Sequence, residues 1–269
     1  MSSRFSACLA VTLKHEGGYS TNRADPGNWT GGKVGKGELR GTKAGIAASS
    51  HPNLDIQKLT DAQIAQIYEA EYWRVVRGDD LPAGVDLSTF DYGVNSGNSR
   101  SIKALQRAAG AIQDGKVGRA TLAAVRAKSA TKLIQALNDG RLGFLQGLTN
   151  WKTFGKGWGA RVGDIRARSL LMAGAVISDL QAIAANDNKK AKADEKGATA
   201  VIAAGTGSGT GAVTGSVPSD QFLNFNWTTV AALAAAAGVL IICGLVLKRR
   251  AAARHAMATA TLAVVAEVA

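Results

Sequence analysis

The chain has 269 residues, with 32 lysines and arginines against 20 aspartates and glutamates, for a formal net charge of +12. Two cysteines, Cys8 near the start and Cys243 inside an apolar run, exclude a disulfide-stapled scaffold. Aromatics at 6% and 32 glycines disfavour an aromatic-rich sandwich, and the basic balance points to an acidic partner: nucleic acid, an anionic membrane surface or a cell-wall polymer.

Phe5, Leu9 and Leu13, spaced by four, predict a first helix that stops at Gly17-Gly18. Residues 19–42 are rich in glycine and carry one proline, so they read as an irregular excursion with room for a small β-hairpin. Thr60-Asp61 opens a second helix, continued by Ile64, Ile67, Tyr68 and Tyr72-Trp73 to about Val76. Helices follow near 86–95, 98–110 and 118–138. A last one runs from about Trp158 to Ala185, with Ile165, Leu170, Val176 and Leu180 in its apolar stripe. No period-2 strand is evident, so the expected fold is mainly α.

At Asn186 the composition changes. Residues 186–226 lack large apolar surface until their end and are rich in Gly, Ser, Thr and Ala, which predicts a flexible linker. Trp227–Leu247 has no charged residue, and its 21 residues span ~32 Å as a helix, the thickness of a bilayer core. Lys248, Arg249 and Arg250 follow at once, so a transmembrane helix over 227–247 and a basic tail over 248–269 are expected. The positive-inside rule puts that tail in the cytoplasm and the globular part in the periplasm, held to the inner membrane by a single pass. No signal peptide is visible: Ala7–Leu13 is short for one, and His15-Glu16 stands where a small-residue cleavage site belongs. Residues 1–188 alone carry a net +8, so the globular part is basic in its own right.

Gly27–Lys33 satisfies G-x-x-x-x-G-K, but Val34 replaces the Ser or Thr of a phosphate loop, and Asp25-Pro26 replaces the preceding strand. His15, His51 and His255 lie far apart with no ligand-spaced partner, so no metal or other cofactor is expected. The carboxylates carry more. Glu16 ends an apolar-patterned helix, where the helix dipole and burial both favour the protonated acid that a glycosidase needs. Asp25 follows nine positions on, where a hairpin could set it across a cleft from Glu16. A Glu before Gly-Gly is also what a solvated helix end looks like, and the chemistry alone does not separate the two.

Lys14-His15-Glu16-Gly17-Gly18-Tyr19-Ser20, then Asp25-Pro26-Gly27, then Thr42-Lys43-Ala44-Gly45-Ile46, resemble the ordered signature of glycoside hydrolase family 108 muramidases. Phe90–Gly97 looks like the next motif. Leu105-Gln106 through Asp114–Leu122 resembles the peptidoglycan-binding half that accompanies the catalytic domain, and Gly157-Trp158 with Arg161-Val162 its closing element. The resemblance implies a lysozyme-like helical domain over 1–96 and a helical peptidoglycan-binding-type domain over 97–185. It implies an N-acetylmuramidase cutting peptidoglycan glycan strands, with Glu16 as the catalytic acid, Asp25 orienting water, and a threonine completing a Glu…Asp…Thr set. An insertion from about Asn28 to Gly41 leaves two candidates for that threonine, Thr30 by spacing and Thr42 by motif; the motif favours Thr42. Arg119 stands where the family usually has proline.

Tyr19, Trp29, Tyr92 and Asn95 are candidate substrate-binding residues, whereas Trp73, on an apolar helix face, reads as core. Inversion or retention of configuration would follow from the carboxyl separation, ~6.5–9.5 Å or ~5–5.5 Å respectively. A lytic transglycosylase and a non-catalytic peptidoglycan-binding membrane anchor are the competing readings, and dispersed basic residues argue against nucleic acid. Besides the wall and the membrane, a holin or secretion machinery is an expected partner class for such an endolysin-type enzyme.

Overall fold

Helix α1, Ser3–Leu13, begins at Ser2, whose side chain accepts the Phe5 N–H, and it buries Phe5, Cys8 and Leu9. The computed structural model describes residues 2–210 and 227–269, with side chains over 2–206 and 235–269. Two units are present: Met1–Arg141 with Ile165–Ala175, and Leu142–Asp164 with Val176–Ala269.

In the first unit a short hairpin, β1 (Thr42–Lys43) and β2 (Ile46–Ala47), pairs antiparallel with Thr42 opposite Ala47. Helix α2, Asp61–Tyr68, starts in a capping box in which Thr60 and Gln63 exchange side-chain and backbone hydrogen bonds. The expected run to Val76 is α-helical only to Tyr68. Glu69–Trp73 forms a π-turn closed by the Arg74 N–H donating to the Glu69 carbonyl at 2.9 Å. Trp73 is 1% exposed, with its ring 5.5 Å from Phe5 and 5.6 Å from Phe90, so its expected core role holds.

Helix α3, Val85–Ser96, is buried along Val85–Gly93. Its polar residues are therefore matched internally. Asp86 Oδ1 accepts from the Gly84 and Leu87 N–H groups at 2.8 and 2.7 Å, and Asp91 meets Arg141 at 2.7 Å with both side chains excluded from solvent. Ser88 Oγ donates to Ser169 Oγ and accepts from Asn138 Nδ2. Burial pushes the Asp86 carboxyl above its ordinary range.

Helix α4, Asn98–Ala109, leads through a loop to α5, Arg119–Arg126. The single helix expected over 118–138 is divided: α5 ends at Arg126, and a new helix, α6 (Ala130–Gln146), begins where the Ser129 carbonyl accepts the Leu133 N–H at 3.0 Å. The helix expected over 158–185 is likewise two. Helix α7, Trp151–Met172, stops at a left-handed Gly174 with φ +88°, where the Ala175 N–H turns back to the Leu170 carbonyl at 2.9 Å.

The second unit differs most from the sequence expectation. Helix α8, Ile177–Thr210, runs straight through the first part of the stretch expected as a linker. The same alanines and lysines that starve a segment of core-forming surface are good helix formers, and no proline interrupts before Pro218. Residues 211–226, the rest of that stretch, lie outside the described residues. Helix α9, Trp227–Val268, continues past Lys248–Arg250 through the stretch expected as a basic tail. Among the described residues no helix is long and apolar enough to cross a membrane, and the side chains of 227–234, the start of the span expected there, lie outside them. Arg254 pairs with Asp194 at 3.1 Å and His255 with Glu195 at 3.3 Å, joining α9 to α8. Leu142, Leu145, Trp151, Val162, Ala253 and Met257 form this unit's apolar core.

Candidate active site

Glu16 sits one turn beyond the last residue of α1, its N–H donating to the Leu13 carbonyl at 3.2 Å, and the chain then extends. The Gly17 carbonyl accepts the Ala44 N–H at 3.1 Å, and Ser20 and Thr42 exchange two backbone bonds of 2.9 Å. Glu16–Ser20 thus lies beside β1 as an extra strand. The turn joining β1 to β2 is Ala44-Gly45, with φ of 48° and 74°, the two left-handed centres of a type I′ hairpin. A β-carbon on Gly45 would fall 2.9 Å from Glu16 Oε2 and 3.0 Å from the Tyr68 hydroxyl. Glycine there lets a carboxylate and a phenol both close on the turn backbone.

Tyr68 donates its hydroxyl to the Ala44 carbonyl at 2.7 Å and stacks on Tyr72, ring centroids 5.5 Å apart. Burial, and then the negative charges of Glu71 and Glu16, push the Tyr72 phenol above its ordinary value, which places Tyr72 in the field of both carboxylates. Glu71 in turn faces His51 at 3.5 Å. The π-turn thereby presents Tyr72 near Glu16 while the adjacent Trp73 stays in the core.

Asp25 caps a 3-10 turn, Pro26–Asn28, by accepting the Gly27 N–H on Oδ1 at 2.8 Å, and it is exposed. Asn28, wholly buried, closes that turn onto the sheet. Its side-chain oxygen accepts the Thr42 hydroxyl at 2.7 Å, its Nδ2 donates to the Asn22 carbonyl at 2.9 Å, and its carbonyl accepts the Arg40 and Gly41 N–H groups at 3.0 Å each. Thr42 is thus bonded both to the Glu16 strand and, through Asn28, to the Asp25 turn. Thr30 lies in an arm of its own, where it is hydrogen-bonded to Glu38 through backbone and side chain. Trp29, half-buried, anchors that arm by donating Nε1 to the Arg23 carbonyl at 3.0 Å.

Tyr19 is 41% exposed, with its hydroxyl directed to the Arg40 carbonyl at 3.3 Å. Tyr92 falls elsewhere. It is 2% exposed beneath the Arg141 guanidinium, which lies 5.4 Å from its ring centre, and burial raises its phenol pKa. A ring so covered has no face for a sugar, so Tyr92 is corrected from a substrate contact to a core residue. Asn95 is half-buried near the end of α3 and accepts the Ser96 hydroxyl at 3.0 Å.

Asn28, Tyr68 and Tyr72 escaped the reading of site residues. The two tyrosines, four apart on a helix face, look like core in a sequence, and a lone asparagine in a glycine-rich stretch looks like a turn.

The Glycosyl hydrolase 108 family model matches residues 9–97, which span Glu16, Asp25 and Thr42. Among solved structures the chain is similar to that described as "Structure of Brucella abortus SagA". The two are 38% identical, the alignment covers 63% of this chain and 95% of that one, and the TM-score is 0.54. Comparison with curated proteins gives no match. With an acid at the end of α1, a threonine bonded to its neighbouring strand and this likeness in sequence and fold, the chain belongs to the Glycosyl hydrolase 108 family.

Proposed function

We propose that the protein is a peptidoglycan hydrolase, an N-acetylmuramidase, with Glu16 as its general acid. The observation that carries this reading is the seat of Glu16: half-buried against the Gly45 turn and the two tyrosines, beside glycines 17 and 18 that leave the space around their own Cα atoms open. The protonated Glu16 carboxyl would give its proton to the glycosidic oxygen as the C1–O bond breaks. Asp25 would orient the water that adds to C1 and take its proton, while Thr42 fixes the register of the Asp25 turn against the Glu16 strand. The net positive charge of the globular part favours approach to an acidic wall polymer.

Glu16→Gln keeps size and hydrogen bonding and removes the acid. It is expected to lower release of reducing ends from purified peptidoglycan by about 10²-fold or more without shifting the melting temperature. Full activity in that variant would overturn the reading in favour of a non-catalytic wall binder. Products ending in 1,6-anhydro sugars would assign lytic transglycosylation to the same acid. The substrate lies outside the cytoplasm, so this reading puts the catalytic unit in the periplasm. A topology reporter fused after Ala185 tests that placement.

A further inference from the structure

One face of α9 changes character along its length. Met257 and Ala253 on it are buried with Leu142, Leu145 and Trp151 in the apolar core of the second unit. Steps of three or four residues toward the N-terminus put Arg250, Val246, Ile242 and Val239 on the same face. There the cover has ended, and all four are exposed. At that edge a cleft of about 340 Å³ opens within the unit, walled by Gly143, Gln146, Gly147 and Trp151 on one side and by Val246, Arg249 and Arg250 on the other. We propose that this cleft binds an anionic phospholipid, with the phosphate held by Arg249 and Arg250 and an acyl chain laid along Val246, Ile242 and Val239. The inference concerns the second unit alone and is independent of the reaction assigned to Glu16.

Charge and apolar surface occur here in the order in which a lipid presents its own. Among the described residues no carboxylate pairs with Lys248, Arg249 or Arg250, whereas Arg254, one turn on, is neutralised by Asp194 at 3.1 Å. The only acidic residue of α9 is Glu267, near its far end. Two adjacent guanidiniums suit a phosphodiester, which they can hold through charge-assisted hydrogen bonds. A free phosphate or a nucleic acid would use the arginines but leave Val246, Ile242 and Val239 in water. A phospholipid covers both. From Arg250 to Val239 the helix rises ~16 Å at 1.5 Å per residue, about half of a ~30 Å bilayer core and so the depth of one leaflet.

The wall facing the arginines leaves room for a headgroup. A β-carbon on Gly143 would meet nothing within 4 Å, and one on Gly147 only the Phe144 carbonyl at 3.4 Å. Trp151 is fixed in the core and packs on Trp158, ring centroids 6.0 Å apart, so this side of the cleft is held before any ligand arrives. Such preorganisation lowers the ordering cost of binding, and an indole beside arginines is the pairing found at the headgroup layer.

The test is flotation of the full-length protein with vesicles of phosphatidylcholine containing about one-third phosphatidylglycerol, and with vesicles of phosphatidylcholine alone. Binding is expected to the anionic vesicles only, and to fall as salt is raised. Arg249→Gln with Arg250→Gln should weaken it about thirtyfold, the effect of two charges at the headgroup layer. Gly143→Leu fills the cleft without changing charge, in a helix that favours leucine over glycine, and should weaken binding about tenfold. Ile242→Asn removes apolar contact from the exposed stripe and should also cost about tenfold. Melting temperatures are expected to hold in all three, since each change falls at an exposed side chain or in open space. Equal binding to neutral vesicles, full binding by any of the three variants, or capture of inorganic phosphate or duplex DNA with no vesicle bound would each overturn the proposal.

Discussion

The glycine-rich excursion before β2 and helix α3 both carry polar side chains, and they hold them in opposite ways. Along α3, Asp86, Ser88, Thr89 and Asp91 are 1% exposed or less, and each is matched by a neighbouring group of the same unit. The excursion is fastened mainly by backbone bonds and by one buried side chain, Asn28, so that Tyr19 and Asp25 face outward. Buried polar groups that are fully paired make a helix rigid and specific, while exposed ones on a fastened backbone are left for a ligand. Damage to α3 should therefore appear as lost stability, and damage to the excursion as lost activity.

The sharpest break of that contrast is Arg141→Met. It keeps most of the side-chain volume and takes from the buried Asp91 carboxylate its 2.7 Å ionic partner. A loss of about 3–5 kcal/mol in unfolding free energy is expected from urea denaturation. Adding Asp91→Asn should restore a large part of it, because the buried negative charge that Arg141 balanced is then gone. A single variant as stable as the native protein would mean that Asp91 is met by other groups and that α3 does not depend on this ion pair.

Why one region was legible and the other was not follows from the range of its contacts. Glu16 before Gly17-Gly18 and the Thr60 cap are local patterns, each closed within a few residues, and a sequence displays them; the hairpin expected within residues 19–42 forms instead at Thr42–Ala47. Trp73 was recognisable as core because its neighbours repeat an apolar period. Tyr92 was not, since its burial depends on an arginine nearly fifty positions later. Asn28 belongs to the same class: nothing in its sequence context announces bonds to Asn22, Arg40, Gly41 and Thr42 at once. The stretch from Asn186 misled for a different reason. Alanine-rich polar sequence lacks core-forming surface and has high helix propensity, and only a partner such as α9 decides between coil and helix.

Within the excursion, Gly45→Ala should show the converse of the α3 result. The new β-carbon would meet Glu16 Oε2 at 2.9 Å, and a left-handed φ of 74° is strained for alanine. About 1 kcal/mol of stability is expected to go, with a fall in peptidoglycan cleavage of tenfold or more from displacement of the acid. Tyr68→Phe is the milder version, removing the hydroxyl together with its 2.7 Å bond to the Ala44 carbonyl. It should cost about 1 kcal/mol, lower cleavage by less than Gly45→Ala does, and leave KM nearly unchanged, because the turn is loosened without being blocked. Both variants are read by kcat and KM on a soluble glycan alongside a denaturation curve. If either lost stability while keeping full activity, the excursion would behave like α3 and the contrast would fail.

The smallest effect belongs to a loop that is intermediate between the two regions. Gln106, wholly buried, donates Nε2 to Asp114 Oδ1 at 2.6 Å and accepts the Gly115 N–H at 3.0 Å, so a buried amide organises an exposed acid. That hydrogen bond, with a second from the Lys116 N–H, holds the Asp114 carboxyl below its ordinary value of 3.8. The folded protein therefore binds the Asp114 proton less readily than the unfolded chain does. The stabilisation is present above the ordinary carboxylate value and is lost as pH falls through the lowered one. Asp114→Asn retains an acceptor but cannot titrate. Its melting temperature should lie slightly below that of the native protein at pH ~6, and the gap should close as the pH is lowered to ~3. A gap constant over that range would show that Asp114 is held by geometry alone, with its charge contributing nothing, and would place this loop with the exposed excursion rather than with α3.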